Sequence, residues 1–156
     1  MLNYKTMDLL TVDRKEYVIA HCISADCAMG AGVVVPIMRK HPELKKSCKK
    51  YSFSKNKQVV GHAYRYEDSE GVVYNLFSKY SVRHKAGVGI SVQQYHEQLR
   101  ECLLDMKKQM IENGEKYLAI PQIACGLDRC KWSDVSKIIE EVFKDSDIEI
   151  LVCIWG

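Results

Sequence analysis

The sequence predicts an α/β domain built around one mixed sheet, and three observations carry that reading. Short apolar runs at 17–22, 117–120 and 148–154 read as buried strands. Two longer stretches, 92–113 and 132–143, place apolar residues at helical spacing between the strands. The runs 58–66 and 72–78, separated by Glu67-Asp-Ser-Glu-Gly71, read as a hairpin, which introduces an antiparallel pair. A chain of 156 residues suits one domain with a substantial core, and a 47% hydrophobic, 28% charged composition is that of an ordinary globular protein. A formal charge of +3 is too small to argue for a nucleic-acid partner. No apolar run approaches the ~20 residues of a membrane span.

Residues 3–10 read as the first strand, and Asp8 near its end suits either a turn cap or acceptance of a ligand N–H. The second strand, 17–22, leads into His21-Cys-Ile-Ser-Ala-Asp-Cys-Ala-Met-Gly-Ala-Gly32. Ser24 and Asp26 are candidate caps for a following helix, and Gly30, Ala31 and Gly32 are small enough to bring an anion close to backbone N–H groups. A strand, a small-residue turn and a helix start make a phosphate cradle, although Gly-x-Gly in that setting is more often plain turn chemistry. Pro36 makes the next helix, at 33–39, short or bent.

From 39 to 57 the chain carries eight Lys or Arg against Glu43. No interleaved aromatic pattern in it suggests base stacking, and it reads as a solvated helical face followed by a loop. After the hairpin, the polar segment 80–89 is marked as flexible by Gly87 and Gly89. Helix 92–113 turns Tyr95, Leu99, Cys102, Leu103, Met106 and Met110 inward and stops at Asn113-Gly114. Strand 117–120 is closed by Pro121, and a second loop runs over 122–129. Helix 132–143 buries Val135, Ile138, Ile139, Val142 and Phe143, with Ser133 or Asp134 near its start. Strand 148–154 alternates little and belongs in the sheet interior.

Asp8 and Asp13 interrupt any secretory h-region, so the seven cysteines read as reduced thiols of a cytoplasmic chain (or a nuclear one, in a eukaryote). Cys22/Cys27 and Cys125/Cys130 are both Cys-x4-Cys, at the edge of zinc spacing, and no metal is expected. In open α/β sheets ligands bind beyond the carboxyl ends of the strands, where three loops meet here. The first offers backbone donors, the second Lys79 with His84 and Lys85, and the third Gly126 and Asp128. A lysine partly desolvated beside a carboxylate can lose its proton and attack an electrophilic carbon. On residue type alone, two unrelated surface charges are the commoner case.

Taken together, the loop 21–32, the loop Pro121-Gln-Ile-Ala-Cys-Gly-Leu-Asp-Arg129 and the following Trp132 closely resemble macro domains, in the branch that contains the terminal ADP-ribose protein glycohydrolase. The resemblance implies a three-layer α/β/α fold that binds ADP-ribose in a cleft over the sheet. By it, Asp8 accepts the adenine amino group with Leu9 beside it, and Ser24, Gly30, Ala31 and Gly32 lie along the diphosphate and distal ribose. Gln122, Ile123, Ala124, Cys125, Gly126 and Leu127 wrap the other side of the diphosphate, and Trp155 approaches the adenine end. Lys79 falls on the family's nucleophilic lysine and Asp128 on its acid/base aspartate.

Met7, Ala124, Gln122 and Cys153 depart from the family's pattern; Ala124 adds a Cβ where the backbone approaches phosphate. The activity implied is removal of ADP-ribose from acidic side chains, and also from O-acetyl-ADP-ribose. The rivals are a non-catalytic reader of ADP-ribose and an ADP-ribose phosphate phosphatase. The expected partner is ADP-ribose or an ADP-ribosylated protein, with nucleic acid only as an ADP-ribosylated substrate. No cofactor, no membrane and a monomeric state are expected.

Overall fold

A computed structural model describes residues 2–154, so Trp155 lies outside the described residues. Six strands form one sheet: β1 (Leu2–Thr6), β2 (Tyr17–Ser24), β3 (Ala63–Asp68), β4 (Gly71–Lys79), β7 (Tyr117–Ile120) and β8 (Glu149–Ile154). Their order is β1-β8-β7-β2-β4-β3, and two short strands, β5 (Lys85–Ala86) and β6 (Gly89–Ile90), pair separately. The β3–β4 pair is antiparallel and every other neighbouring pair in the large sheet is parallel, so the sheet is mixed. β8 lies between β1 and β7, in the interior position its unbroken apolar run requires.

The sheet is covered on both faces because its strands alternate between two cores. Ala20, Tyr74, Leu76, Leu118 and Val152 pack with α3 (Val92–Glu112) and α4 (Trp132–Phe143). Ile19, Val73, Phe77, Ala119 and Cys153 pack with α1 (Val34–Lys40) and α2 (Leu44–Ser54). This is the three-layer arrangement. Ser91 caps α3 by accepting the N–H of Gln94 at 3.0 Å, and Asn113 with left-handed Gly114 (φ 67°) ends it.

Three local expectations change. The first strand stops at Thr6, because Asp8 accepts the N–H of Leu10 at 3.0 Å and starts a 3-10 turn over Leu9–Thr11. The hairpin strand begins at Ala63, since the chain before it is held in a turn by the His62 N–H to Val59 carbonyl bond at 2.9 Å. Helix α1 receives no side-chain cap from Ser24 or Asp26; it starts at Val34, well beyond their reach, and Pro36 sits in its first turn, where no helical N–H is lost. The lysine-rich stretch is α2 with Leu44, Cys48 and Ser52 buried on one face, as a solvated helix requires.

His21, wholly buried in β2, makes the fold sensitive to acid. Asn75 donates its amide to the Tyr64 and Val73 carbonyls, both at 3.1 Å, which leaves its Oδ1 to accept from His21 Nε2 at 2.6 Å. Nδ1 then faces the interior without a partner among the described residues. Burial lowers the His21 pKa to about 4, below the 6.5 of a free imidazole. Between those values the unfolded chain takes up a proton that the folded chain refuses, so stability falls as pH drops from 6.5 towards 4. The expected contribution is on the order of 3 kcal/mol. Urea midpoints at pH 7 and 4.5 should fall further for the wild type than for His21→Gln, which keeps an N–H for Asn75 but does not titrate. Equal falls would refute this assignment.

Candidate active site

Lys79 ends β4 and Asp128 ends the second loop, and the fold buries both, to 7% and 8% exposure. Lys79 Nζ donates to Asp128 Oδ1, and the Tyr95 hydroxyl donates to Asp128 Oδ2. With its proton committed to the carboxylate, the Tyr95 oxygen accepts from Ser78 Oγ at 2.9 Å. Gln98, one turn along the same face of α3, donates to the Ser78 carbonyl at 2.7 Å. Helix α3 thus mounts both halves of the pair: Tyr95 holds the acid, and Tyr95 and Gln98 hold the residue before the lysine. Burial, with Cys22 and Asp128 adding to it, pushes the Tyr95 phenol well up, so it stays a donor.

A register slip aims the lysine. Ile23 pairs with Phe77 but Ser24 pairs with Lys79, so β4 carries one extra residue there. Strict alternation would send Lys79 to the face of Phe77, away from α3. The irregularity instead brings it to Asp128, a role in which bulges recur beside functional sites.

The pair opens on a cavity of about 500 Å³ lined by the first loop, the second loop, Val82 and Lys85. Its size is that of a small-molecule site. Among the described residues, no acceptor takes the backbone N–H groups of 29–33 or of 124–128, and nearly all of these residues line the cavity. Two runs of uncommitted donors facing one recess form an anion-binding surface. Met29 (φ 49°) and Ala124 (φ 64°), one in each loop, adopt the left-handed region, and backbone strain of this kind is typical of ligand clamps. A Cβ at Gly126 would meet nothing within 4 Å, so packing does not demand glycine there.

The phosphate-cradle reading of the first loop therefore rests on loop N–H groups, since α1 is only 7 residues long. Asp26 does something the sequence did not suggest. Its carboxylate accepts from Ser24 Oγ, from the Ala28 N–H and from the Val82 N–H, the last two at 3.2 Å. Burial pushes the Asp26 carboxyl up, but these bonds outweigh it and hold its pKa below the usual value. The segment 80–89, expected to be flexible, is pinned by this bond, by Asp26 N–H to the Tyr80 carbonyl (3.2 Å) and by Ala86 N–H to the Asp128 carbonyl (3.0 Å).

Of the residues singled out, Lys79, Asp128, Ser24, Gly30, Ala31, Gly32, Gln122, Ile123, Ala124, Gly126 and Leu127 line one cavity. The two charges are thus not unrelated surface groups; the fold buries them against each other. Three residues do not line it. Leu9 is buried in the α1–α2 core, Cys125 packs against the α3–α4 core, and Asp8 lies at the end of β1, close enough to Cys153 to raise its thiol pKa after burial has done so. By its helical spacing Tyr95 reads only as a core position, although a buried tyrosine needs a partner for its hydroxyl and so signals a polar site. The Cys-x4-Cys pairs do not converge: among the described residues no three His, Cys, Asp or Glu side chains cluster as a metal site.

A twin-loop recess over the carboxyl ends of a mixed six-stranded sheet is the architecture of a macro domain, and the family model for that domain matches residues 20–139. The chain belongs to the macro domain family. It is 35% identical over 151 residues to the Bos taurus protein ADP-ribose glycohydrolase OARD1, covering 97% of this chain and 90% of that one. With the Homo sapiens protein of the same name it shares 37% over 134 residues, covering 86% and 79%. The solved Thermosipho africanus DarTG, in complex with ADP-ribose, matches with a TM-score of 0.80 at 16% identity, over 98% of this chain and 41% of that one; this likeness is one of fold.

Proposed function

We propose that the protein is an ADP-ribosyl hydrolase that releases ADP-ribose from glutamate and aspartate side chains. The observation that carries this reading is the buried Lys79–Asp128 pair at one end of a recess whose walls present uncommitted backbone donors. The names of the mammalian relatives support the same chemistry.

The two loops hold the diphosphate by their N–H groups, which fixes the anomeric carbon of the distal ribose near Lys79. Asp128 takes a proton from the Lys79 ammonium. The free amine attacks the anomeric carbon; the C–N bond forms as the bond to the ester oxygen breaks, and the side-chain carboxylate leaves with the electron pair. Water then adds to the same carbon as the C–N bond breaks. Asp128 returns its proton to the departing amine, accepts one from the water and passes that proton, the one net proton of the hydrolysis, to solvent, which restores the pair. O-acetyl-ADP-ribose offers an acetate leaving group and is a second candidate substrate. Tyr95 is a positioning residue: it holds one carboxylate oxygen so that the other faces Lys79.

The testing experiment is single-turnover release of ADP-ribose from a glutamate-linked mono-ADP-ribosylated protein. Release by the wild type supports the reading; binding of ADP-ribose without release makes the chain a reader. Tyr95→Phe should lower the single-turnover rate about 10- to 100-fold with ADP-ribose affinity unchanged. A lower rate accompanied by an equal loss of affinity would reduce Tyr95 to a packing role.

A further inference from the structure

The two segments that bring Val82, Lys85 and Asp128 to the recess carry a concentration of cations. Arg83 and Lys85 come from the segment after β4, and Arg129 and Lys131 follow Asp128. The Ala86 N–H to Asp128 carbonyl bond, at 3.0 Å, ties these two segments together. Lys85 lines the cavity beside Lys79 and Asp128, while Arg83, Arg129 and Lys131 are exposed. Among the described residues none of the four forms an ion pair. The carboxylates around them are committed elsewhere: Asp128 to Lys79 and Tyr95, and Asp26 to Ser24, Ala28 and Val82. Asp134, in the first turn of α4, lies close enough to Cys125 and Cys130 to raise their pKa values after burial has done so, and among the described residues it forms no ion pair with any of the four cations.

Like charges brought together without partners repel and do nothing for the fold, so their concentration at one end of a binding site is a field directed outward. We infer that this rim docks an acidic peptide segment, the carboxylate-rich stretch that flanks the modified residue in the protein substrate. The inference rests on the glycohydrolase reading, in which the group leaving at Lys79 is itself an acidic side chain. In an extended chain of ~3.3 Å per residue, two neighbours on either side lie within about 7 Å of the modified residue. That is inside the Debye length of about 8 Å at physiological salt, so flanking carboxylates act on the rim even without direct pairs. A nucleic-acid strand fits less well. Tyr80 is the exposed aromatic residue in the segment after β4, with no row of rings for stacked bases.

The test compares three ADP-ribosylated substrates: a blocked single glutamate, a peptide whose modified glutamate is flanked by Asp and Glu, and the same peptide flanked by Ser. The enzymes are the wild type and the triple variant Arg83→Ala, Arg129→Ala, Lys131→Ala. The wild type is expected to show kcat/KM about tenfold higher for the acidic peptide at low salt, with the advantage shrinking as salt rises. The triple variant should lose that preference and keep wild-type turnover of the blocked glutamate, which also reports that it folds. Equal values for the two peptides with the wild type, or a preference that survives in the variant, overturns the inference while leaving the hydrolase reading intact. A rim-dependent preference for an ADP-ribosylated oligonucleotide over the acidic peptide overturns it in favour of nucleic acid. Failure of the wild type on the blocked glutamate overturns the hydrolase reading itself, and this inference with it.

Discussion

Lys79→Ala is expected to abolish turnover, with a loss of about 10³-fold or more in the single-turnover rate, equivalent to about 4 kcal/mol of transition-state stabilisation. Alanine has no group to displace the carboxylate, and water attacking directly would have to do so without the covalent step. Binding should survive. The anion-holding donors are backbone N–H groups of 29–33 and 124–128, which the substitution does not touch. Calorimetry with ADP-ribose should therefore still detect binding, with an affinity within about tenfold of wild type, or about 1.4 kcal/mol. Loss of binding together with turnover would make Lys79 a binding residue and remove the covalent mechanism. Full turnover by the variant would remove it outright.

Asp128 is expected to show the second large effect, and here stability and chemistry separate. Asp128→Ala leaves the buried Lys79 ammonium without a counter-charge and the buried Tyr95 hydroxyl without its acceptor. Removing one member of a buried pair costs about 3 kcal/mol or more, so the urea midpoint should fall markedly. Asp128→Asn keeps an oxygen and an amide in nearly the same volume and should recover part of that stability. Neither variant can take the proton from Lys79 or return it, so both should turn over about 10²- to 10⁴-fold more slowly than wild type. An Asn variant that is stable and active would show that Asp128 is a structural partner of Lys79 and not its acid/base.

The mixed α/β architecture was largely legible from residue patterns, because each strand and helix is specified locally. The runs 117–120 and 132–143 coincide with β7 and α4, where Pro121 and the periodicity of Val135, Ile138, Ile139, Val142 and Phe143 leave little freedom. Boundaries failed where side chains or turns compete with regular structure. Asp8 diverts the chain into a 3-10 turn by capping Leu10, and Gly61 and His62 delay β3. Local sequence cannot weigh a cap against one more strand pair, because the partner strand is far away in the chain.

Within the site, the sequence alone determined which chemical types each loop supplies: small residues and backbone donors in the first and third, a lysine in the second and a carboxylate in the third. Composition and turn chemistry are local properties, and they survive any packing. Tertiary structure alone decided that Lys79 and Asp128 meet, because their contact depends on a one-residue register slip between β2 and β4 and on a hydroxyl from α3. It also decided that Asp26 anchors the segment after β4 instead of capping a helix, since its Val82 partner is brought in by strand pairing. A hydrogen bond between distant residues depends on position and orientation within a fraction of an ångström, and those are fixed only when the sheet and its covering helices are packed together.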